Sequence, residues 1–265
     1  MKLLKDSERE KIKQAAHLLV KAKNAIILTG AGISTESGIP DFRGNSGIWK
    51  KYDPEKYGNL QSFLKNPSKF WKMANEIAPT LFNAIPNLGH YAITDLEKMG
   101  IIKAIITQNI DELHQKAGAV LVYEVHGNIN MFTCIGCQAS YKKEQVLNKL
   151  KKEKGPPVCD YCALPLKPSV VFFGEDLPRF EKFMSIDLAK KSDLMLIAGS
   201  SLTVAPVSYL PTYTLINNGK LIIVNDQSTY LDGKAEIVLK NKTGIILPSI
   251  VEEIKKINSE IGPNP

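Results

Sequence analysis

The chain is short of arginine, short of cysteine and without any long apolar run, and each shortage narrows what it can be. Basic residues number 34 against 27 acidic ones, a formal net charge of +7, yet the arginines are only Arg9, Arg43 and Arg179. Bidentate readers of bases and phosphates are usually arginine, so the surplus reads as a lysine-rich solvated surface. Lysines alternate with acidic side chains in Ser7 to Lys13 and Lys142 to Lys154. Direct sequence-specific binding of nucleic acid is therefore not expected, and attraction to acidic partners is what remains of the charge. No segment offers the run of about 20 apolar residues that a membrane helix needs. Met1 to Lys23 is charged and amphipathic, with no apolar stretch followed by a small-residue cleavage site. No membrane association and a cytoplasmic location are the expectations.

The hydrophobic fraction of 44% argues against extensive disorder. A length of 265 residues allows one sizeable core and a smaller appended unit.

The cysteines define the appended unit. They stand as Cys134-x2-Cys137 and Cys159-x2-Cys162, with no others in the chain. Two such knuckles converging on one ion make a zinc-ribbon pattern. Disulfides fit a cytoplasmic setting poorly, and redox chemistry needs one pair where two are present. Iron–sulfur ligation remains an alternative. Four thiolates fill a tetrahedron and leave no position for water, so one structural zinc is expected rather than a catalytic one. Lys142 to Lys154 between the pairs reads as a short charged helix. So small a unit depends on its metal to fold.

Outside that insert the pattern is βα. Glu8 to Lys23 is periodic as a helix, and Asn24 to Thr29 is a continuous apolar run. Further runs are Lys103 to Thr107, Ser169 to Phe173, Leu194 to Ala198, Leu221 to Val224, Ala235 to Leu239 and Gly244 to Leu247. Helical stretches include His90 to Lys98 and Ser249 to Glu260, the latter entered after Pro248. Continuous rather than alternating apolar runs predict strands covered on both faces. The fold class is thus α/β, a Rossmann-type, mostly parallel sheet with a smaller zinc-ribbon plus helical module.

Ligand-capable groups collect where strands end. Gly30, Ala31, Gly32 and Ser34 follow the first strand, where glycines let a pyrophosphate approach and Ser34 or Thr35 can cap a helix. The full G-x-G-x-x-G spacing is absent. Gly199, Ser200 and Ser201 follow another strand, and Asn225 ends a third with an amide able to bond a ribose hydroxyl. Three such ends together point to a dinucleotide. Gln108, Asn109, Ile110 and Asp111 close another strand, although Asn109 and Asp111 can also cap the helix expected at Glu112 to Lys116. Phe42 and Arg43 lie in a segment rich in small residues, suited to covering a flat ring and reaching a phosphate. Of the four histidines, His17 and His114 read as surface or packing residues, and His90 as an internal hydrogen-bonding group. His126 lies just before the zinc unit, where a general base is plausible near neutral pH.

Taken in order, Gly30 to Arg43, Thr107 to Asp111, His126-Gly127, the cysteine pattern, Gly199 to Ser201 and Asn225 resemble the sirtuin family of NAD-dependent protein-lysine deacylases. The likeness is to its compact bacterial and archaeal members. It implies a discontinuous NAD-binding domain at 1–43, 80–127 and 166–265. The helical insert 44–79 and the zinc-ribbon insert 128–165 would form the small domain, with acyl-lysine protein and NAD between the two. By that resemblance His126 is the catalytic base toward a ribose hydroxyl, and Asn109 orients the ribose or a water. Asp111 and Ile110, with the segment from Ala31 to Phe42, form the nicotinamide pocket. Gln108 touches the ribose, Arg43 the phosphate side, and Gly30, Ser34, Gly199, Ser200 and Asn225 hold the rest of NAD. Val170, Val171, Phe172, Phe173, Gly174 and Glu175 would pair with substrate backbone by β-augmentation.

Sirtuins that favour succinyl or malonyl groups carry a Tyr and an Arg three apart in the helical insert. The matching stretch here, Phe70 to Ile77, has Ala74 and Ile77 instead. The resemblance therefore implies removal of acetyl, with longer neutral acyls open, to give nicotinamide, O-acyl-ADP-ribose and free lysine. Its protein partners would be chromatin-associated proteins or metabolic enzymes. Two rivals share these features: a protein mono-ADP-ribosyltransferase using the same NAD pocket, and a zinc-ribbon nucleic-acid-binding protein without turnover. An NAD oxidoreductase fits less well, because no Tyr-x-x-x-Lys arrangement stands near a nicotinamide site.

Overall fold

The structure, a computed structural model, describes residues 4–42, 44, 47–152 and 155–261. Helix α1 (Asp6–Lys21) leads into β1 (Ala25–Thr29), which is followed by a 3-10 helix, Ala31–Ser37. Short helices α2 (Ile48–Lys51), α3 (Pro54–Tyr57) and α4 (Leu60–Lys65) precede the longer α5 (Pro67–Asn83). Then come α6 (Leu88–Lys98), β2 (Ile102–Thr107), α7 (Leu113–Lys116) and β3 (Val122–Glu124). The cysteine-bearing region holds β4 (Gly127–Cys134), β5 (Ser140–Lys142), α8 (Lys143–Lys152) and β6 (Leu166–Val170). The chain ends with α9 (Arg179–Lys191), β7 (Leu194–Ala198), α10 (Leu210–Ile216), β8 (Lys220–Val224), β9 (Ile237–Leu239) and α11 (Thr243–Ile261).

Six strands form one sheet in the order β3-β2-β1-β7-β8-β9, every neighbouring pair parallel. The chain therefore builds outward from β1 in one direction, then from β7 in the other. The crevice between β1 and β7, beyond their carboxyl ends, is the place where such sheets take ligands. Both faces of the sheet are covered, which explains the continuous apolar runs. On one face Ile27, Ile105, Leu196 and Ile222 pack with Leu19, Ile93, Ile250 and Ile254 of the helices. On the other, Ile26, Ile106, Ile197 and Ile223 pack with Ala189 and Leu210.

A second, antiparallel sheet runs β5-β4-β6. It shares a core with the helical insert: Phe63 and Trp71 pack with Phe132, Tyr141, Val146, Leu166 and Phe172. Trp71 stacks on Phe132 at 5.9 Å between centroids, and its Nε1–H donates to the Leu166 carbonyl at 3.1 Å. The two inserts are thus one packed unit.

Three sequence-based expectations are corrected. Ser169 to Phe173 is not a strand of the parallel sheet; the strand is Leu166–Val170 and pairs with β4, so the start of the segment 166–265 joins the small sheet. Its apolar run reflects contact with the aromatic core, where Phe172 is buried. Gly244 to Leu247 is not a strand but the start of α11, and Pro248 lies inside that helix. Ile246, Leu247, Ile250, Val251 and Ile254 are buried at helical spacing, which a four-residue window cannot distinguish from a strand. Finally, neither Ser34 nor Thr35 caps a helix: both sit within the 3-10 turn, and their hydroxyls bond elsewhere.

Candidate active site

The first strand ends at Thr29 and the seventh at Ala198, and the loops after them touch. Gly32 N–H donates to the Gly199 carbonyl at 2.8 Å, and Gly30 N–H to that of Ala198 at 3.2 Å. A Cβ on Gly32 would stand 2.7 Å from Gly199 O, and one on Gly30 2.9 Å from it. Gly199 itself has φ +64°. Side chains are excluded from this junction by contact, which leaves bare backbone facing the crevice.

One cleft of about 480 Å³ runs from there across the molecule. Its walls include Gly30, Ala31, Gly32, Ser34, Phe42, Gln108, Asn109, Ile110, Asp111, His126, Gly199, Ser200, Ser201 and Asn225. Every described residue expected to contact a dinucleotide is therefore brought to one place. Arg43 lies outside the described residues. Val170 to Glu175 lines the same cleft, as do Ala74 and Ile77 of α5.

The polar groups are bonded into a network. Ser34 Oγ–H donates to Asp111 Oδ2 at 2.6 Å, and Asn109 Nδ2–H donates to Ser34 Oγ at 3.1 Å and to the Gly30 carbonyl at 3.2 Å. Leu113 N–H donates to Asp111 Oδ1 at 3.0 Å, so Asp111 holds the first residue of α7, whose N-cap position is Glu112, while facing the cleft. Burial raises the Asp111 pKa, opposed by the bonds from Ser34 and Leu113. Gln108 Nε2–H reaches Ser200 Oγ at 2.8 Å and ties the two loops together. Asn225 Nδ2–H bonds the Gln227 carbonyl at 2.8 Å, and Ser201 Oγ lies 3.0 Å from Thr203 Oγ1.

His126 stands at the join of the two sheets. Its Nδ1 is 3.0 Å from the Gln108 carbonyl. A carbonyl only accepts, so Nδ1 carries the ring proton and the neutral ring has Nε2 as its basic nitrogen. The His126 carbonyl accepts from Val171 N–H at 2.8 Å, which clamps the residue from the small-sheet side.

Part of the Val170–Glu175 stretch is already engaged. Phe173 bridges to Asn59, with its N–H on the Gly58 carbonyl at 2.8 Å and its carbonyl taking Leu60 N–H at 3.0 Å. Phe172 N–H donates to Glu175 Oε2 at 2.7 Å. Trp49 packs between Phe42 and Phe173, at 5.4 and 6.1 Å.

The four cysteine sulfurs lie within 4.8 Å of one another. Cys134 and Cys162 are 3.3 Å apart, Cys137 and Cys159 3.5 Å. A tetrahedron with zinc–sulfur bonds of about 2.3 Å sets sulfurs about 3.8 Å apart, so the donor set and spacing fit one structural zinc. Tyr141 O–H, Gly136 N–H and Tyr161 N–H point at these sulfurs from 3.2 to 3.4 Å, as outer partners of thiolates do.

Comparison with known proteins agrees with this geometry. The Sir2 family profile matches residues 30–206. The chain belongs to the Sir2 family. An NAD-dependent protein deacylase 2 of Archaeoglobus fulgidus is 44% identical over 95% of this chain and 99% of its own length. An NAD-dependent protein deacetylase of Sulfurisphaera tokodaii is 47% identical over 90% of this chain and 94% of its own. Among solved structures, one from work on the mechanism and regulation of Sir2 enzymes superposes with TM-score 0.90 at 43% identity, covering 94% of this chain and all of that one. A Sir2–p53 peptide–NAD+ structure gives 0.85 at 38% identity, over 93% of this chain and 99% of its own.

Sequence reasoning missed part of the cleft. Asp226, Gln227, Asn241, Lys242 and Thr243 also line the cleft, without any local motif to signal them. Behind the cleft, Thr29, His90, Thr107 and His114 are buried polar residues. His90 takes Asn87 N–H on Nδ1 at 3.2 Å, and its Nε2 is 3.5 Å from Ser34 Oγ. His17 is exposed on α1, as its default reading has it. Among the described residues, no helix is long and apolar enough to cross a membrane.

Proposed function

We propose that this chain removes acetyl and other neutral acyl groups from protein lysine at the expense of NAD. The observation that carries the reading is the single cleft, which joins the glycine loops of the β1–β7 crevice to His126 and then to apolar side chains of the small domain. When bound, NAD would supply the anomeric carbon that takes the acyl oxygen as nicotinamide leaves, and a water would then add to the acyl carbon as the lysine amine departs, so the products are nicotinamide, O-acyl-ADP-ribose and free lysine.

The chain's own residues would act as follows. Gly30, Gly32 and Gly199 present backbone to the pyrophosphate, with Ser200, Ser201 and Asn225 along the remaining nucleotide. Gln108 reaches the ribose and Arg43 the phosphates. Asn109, Ser34 and Asp111, already bonded to one another, orient the ribose and the carboxamide of nicotinamide, beside Ala31, Ile110 and Phe42. His126 Nε2 takes a proton from a ribose hydroxyl. Its tautomer suits that task because Nδ1–H is held by a backbone carbonyl. The apolar walls exclude water around the reacting carbon, which strengthens the polar contacts within.

Val170 to Glu175 would carry the substrate backbone. Since Phe173 is already bridged to Asn59, the peptide would add on the opposite edge of that stretch. Ala74 and Ile77 on the cleft wall offer neither the Tyr nor the Arg that would take a succinyl or malonyl carboxylate at those positions, which favours neutral acyls. The division into a domain of 1–43, 80–127 and 166–265 with inserts 44–79 and 128–165 is part of the reading, adjusted so that β6 lies with the small sheet. The zinc-bearing unit is one wall of the cleft. Acyl-lysine proteins are the substrates, with chromatin-associated proteins or metabolic enzymes as the classes proposed.

The test is mass spectrometry of products from NAD with acetyl-, succinyl- and myristoyl-lysine versions of one peptide. O-acetyl-ADP-ribose and nicotinamide in equal amounts are expected. ADP-ribose retained on protein, or faster removal of succinyl than acetyl, would sink the reading.

A further inference from the structure

His114 sits three residues after Asp111, on α7, and is 1% exposed. It does not line the cleft, and its ring packs edge-on against that of His90, with 5.1 Å between centroids. Its Nε2 is 2.9 Å from Thr29 Oγ1, and Thr29 Oγ1–H donates to Thr107 Oγ1 at 2.8 Å. Thr107 Oγ1 in turn accepts Asn109 N–H at 3.1 Å. The single hydroxyl proton of Thr29 is committed to Thr107, so Thr29 must accept from the ring, and Nε2 is the protonated nitrogen. His114 is then neutral, in keeping with a pKa that burial, and secondly the neighbouring His90, depress to about 3.

This arrangement leaves Nδ1 as a bare acceptor, and it is buried with no hydrogen-bond partner among the described residues. An unsatisfied buried acceptor destabilises a fold, and an apolar side chain of similar size would avoid it. What the imidazole adds is the donor at Nε2, at the head of a chain that ends on the backbone of Asn109. Thr29 and Thr107 are register partners at the last positions of β1 and β2. The chain therefore crosses the sheet at its carboxyl edge, directly beneath the cleft. Asn109 bonds Gly30 and Ser34, and Ser34 bonds Asp111.

We propose that His114 is a positioning residue for the deacylation reaction, fixing Asn109 through Thr29 and Thr107 while touching no substrate itself. The proposal rests on the functional reading above and adds a residue that the cleft does not contain. Tilting the Asn109 backbone would swing its side chain and the Ser34–Asp111 pair together, which lowers the rate of the chemical step rather than the affinity for peptide.

Four variants of the full-length, zinc-loaded protein test this: His114→Leu, His114→Gln, Thr29→Val, and His114→Leu combined with Thr29→Val. His114→Leu removes the donor and the orphaned acceptor together. It should keep the parent's thermal midpoint, lower kcat about tenfold, the scale of one neutral hydrogen bond, and leave peptide KM within about twofold. His114→Gln returns an N–H near the Nε2 position and should recover most of kcat. The double variant should be no slower than the slower single variant, because both substitutions cut one chain. A purely structural role would instead move midpoint and activity together, without rescue by Gln. Parent-like kcat in His114→Leu, or Gln no better than Leu, overturns the proposal. Amide hydrogen exchange at Asn109 reads the chain without turnover: protection should fall in His114→Leu and Thr29→Val. If the parent itself fails to deacylate, the functional reading fails, and unchanged protection at Asn109 would then reject the positioning chain separately.

Discussion

Replacing Gly199 by alanine tests the crevice where its geometry is tightest. The residue has φ +64°, and an added Cβ would lie 2.2 Å from Ile33 N and 2.6 Å from Gly32 C. Both neighbours are backbone atoms of the loop after β1, so no side-chain rotation relieves the clash. A left-handed backbone costs a non-glycine residue about 1–2 kcal/mol, and overpacking adds about 1–3 kcal/mol. Gly199→Ala should therefore destabilise the fold by about 2–5 kcal/mol. Gly38 supplies the control: its φ is +85°, yet nothing lies within 4 Å of an added Cβ. Gly38→Ala should cost only the backbone contribution of about 1–2 kcal/mol. At about 2–4 °C per kcal/mol for a chain of this size, the two melting midpoints are separable by scanning calorimetry. The functional readout separates them further. Parting the loops by about 1 Å should lower kcat/KM for NAD about 100-fold in Gly199→Ala and leave it near parental in Gly38→Ala, because Gly38, unlike its neighbours Ile39 and Pro40, does not line the cleft. Equal midpoints for the two variants, or an unchanged kcat/KM for NAD in Gly199→Ala, would refute the claim that abutting backbones shape this site.

Three further outcomes are expected. His126→Ala should keep the parent's melting midpoint and lose about 10²–10⁴-fold in kcat; parental turnover removes His126 from the base role. Stripping zinc with a chelator should abolish deacylation and lower the midpoint, and retention of both would rule out a supporting role for the cysteine site. His90 and His114 are buried with pKa values lowered by burial from 6.5 to about 4 and about 3. Groups with depressed folded pKa values stabilise the fold above the unfolded value, and that stability is lost as pH falls from about 6.5 toward 4 and 3. At pH 5 the loss is about 2 kcal/mol per ring, taking 1.36 kcal/mol per pH unit. Denaturant melts between pH 8 and pH 5 should show it, and His114→Leu should shrink it by about half; a pH-independent gap between variant and parent contradicts the assignment.

Much of the architecture was legible because its signals are local. Five of the six strands of the parallel sheet sit at apolar runs visible in the sequence, and the short edge strand β3, Val122–Glu124, was missed. The cysteine knuckles and the glycine loop are likewise contiguous patterns, and the sulfurs and backbones they place are where the spacing predicts. Two apolar runs misled for different reasons. Ser169 to Phe173 overlaps only the end of Leu166–Val170, a strand of a small antiparallel sheet whose apolar neighbours are aromatic side chains of the helical insert. Ile245 to Leu247 is too short to reveal its period before Ile250 and Ile254 extend it. The polar chain behind the site was illegible for a deeper reason. Thr29, Thr107 and His114 acquire meaning only through the register of β1 on β2, which no single segment encodes. Thr29 and Thr107 look like ordinary strand ends until they face each other.

The zinc site and the candidate base are mechanically linked even though no bond joins them. Strand β4 begins at Gly127, the residue after His126, and ends at Cys134, one of the four clustered cysteines. Its partner β6 faces both ends, with Gly127 opposite Val170 and Cys134 opposite Leu166. Over eight residues, at about 3.3 Å per residue, one strand pair spans the distance between metal and base. Gly127 has φ +70°, and a Cβ there would lie 1.9 Å from Ser169 O. The turn out of His126 is therefore pressed directly against β6. On its far side His126 is held by the Gln108 carbonyl at the end of β2. His126 is thus held from both sides, its ring by the end of β2 and its backbone by the Val171 N–H, and the cysteine cluster lies on the small-sheet side. Losing zinc would release one jaw of that clamp while leaving the crevice between β1 and β7 intact. The signature of that arrangement is a fall in kcat that precedes any loss of NAD binding as the metal is withdrawn.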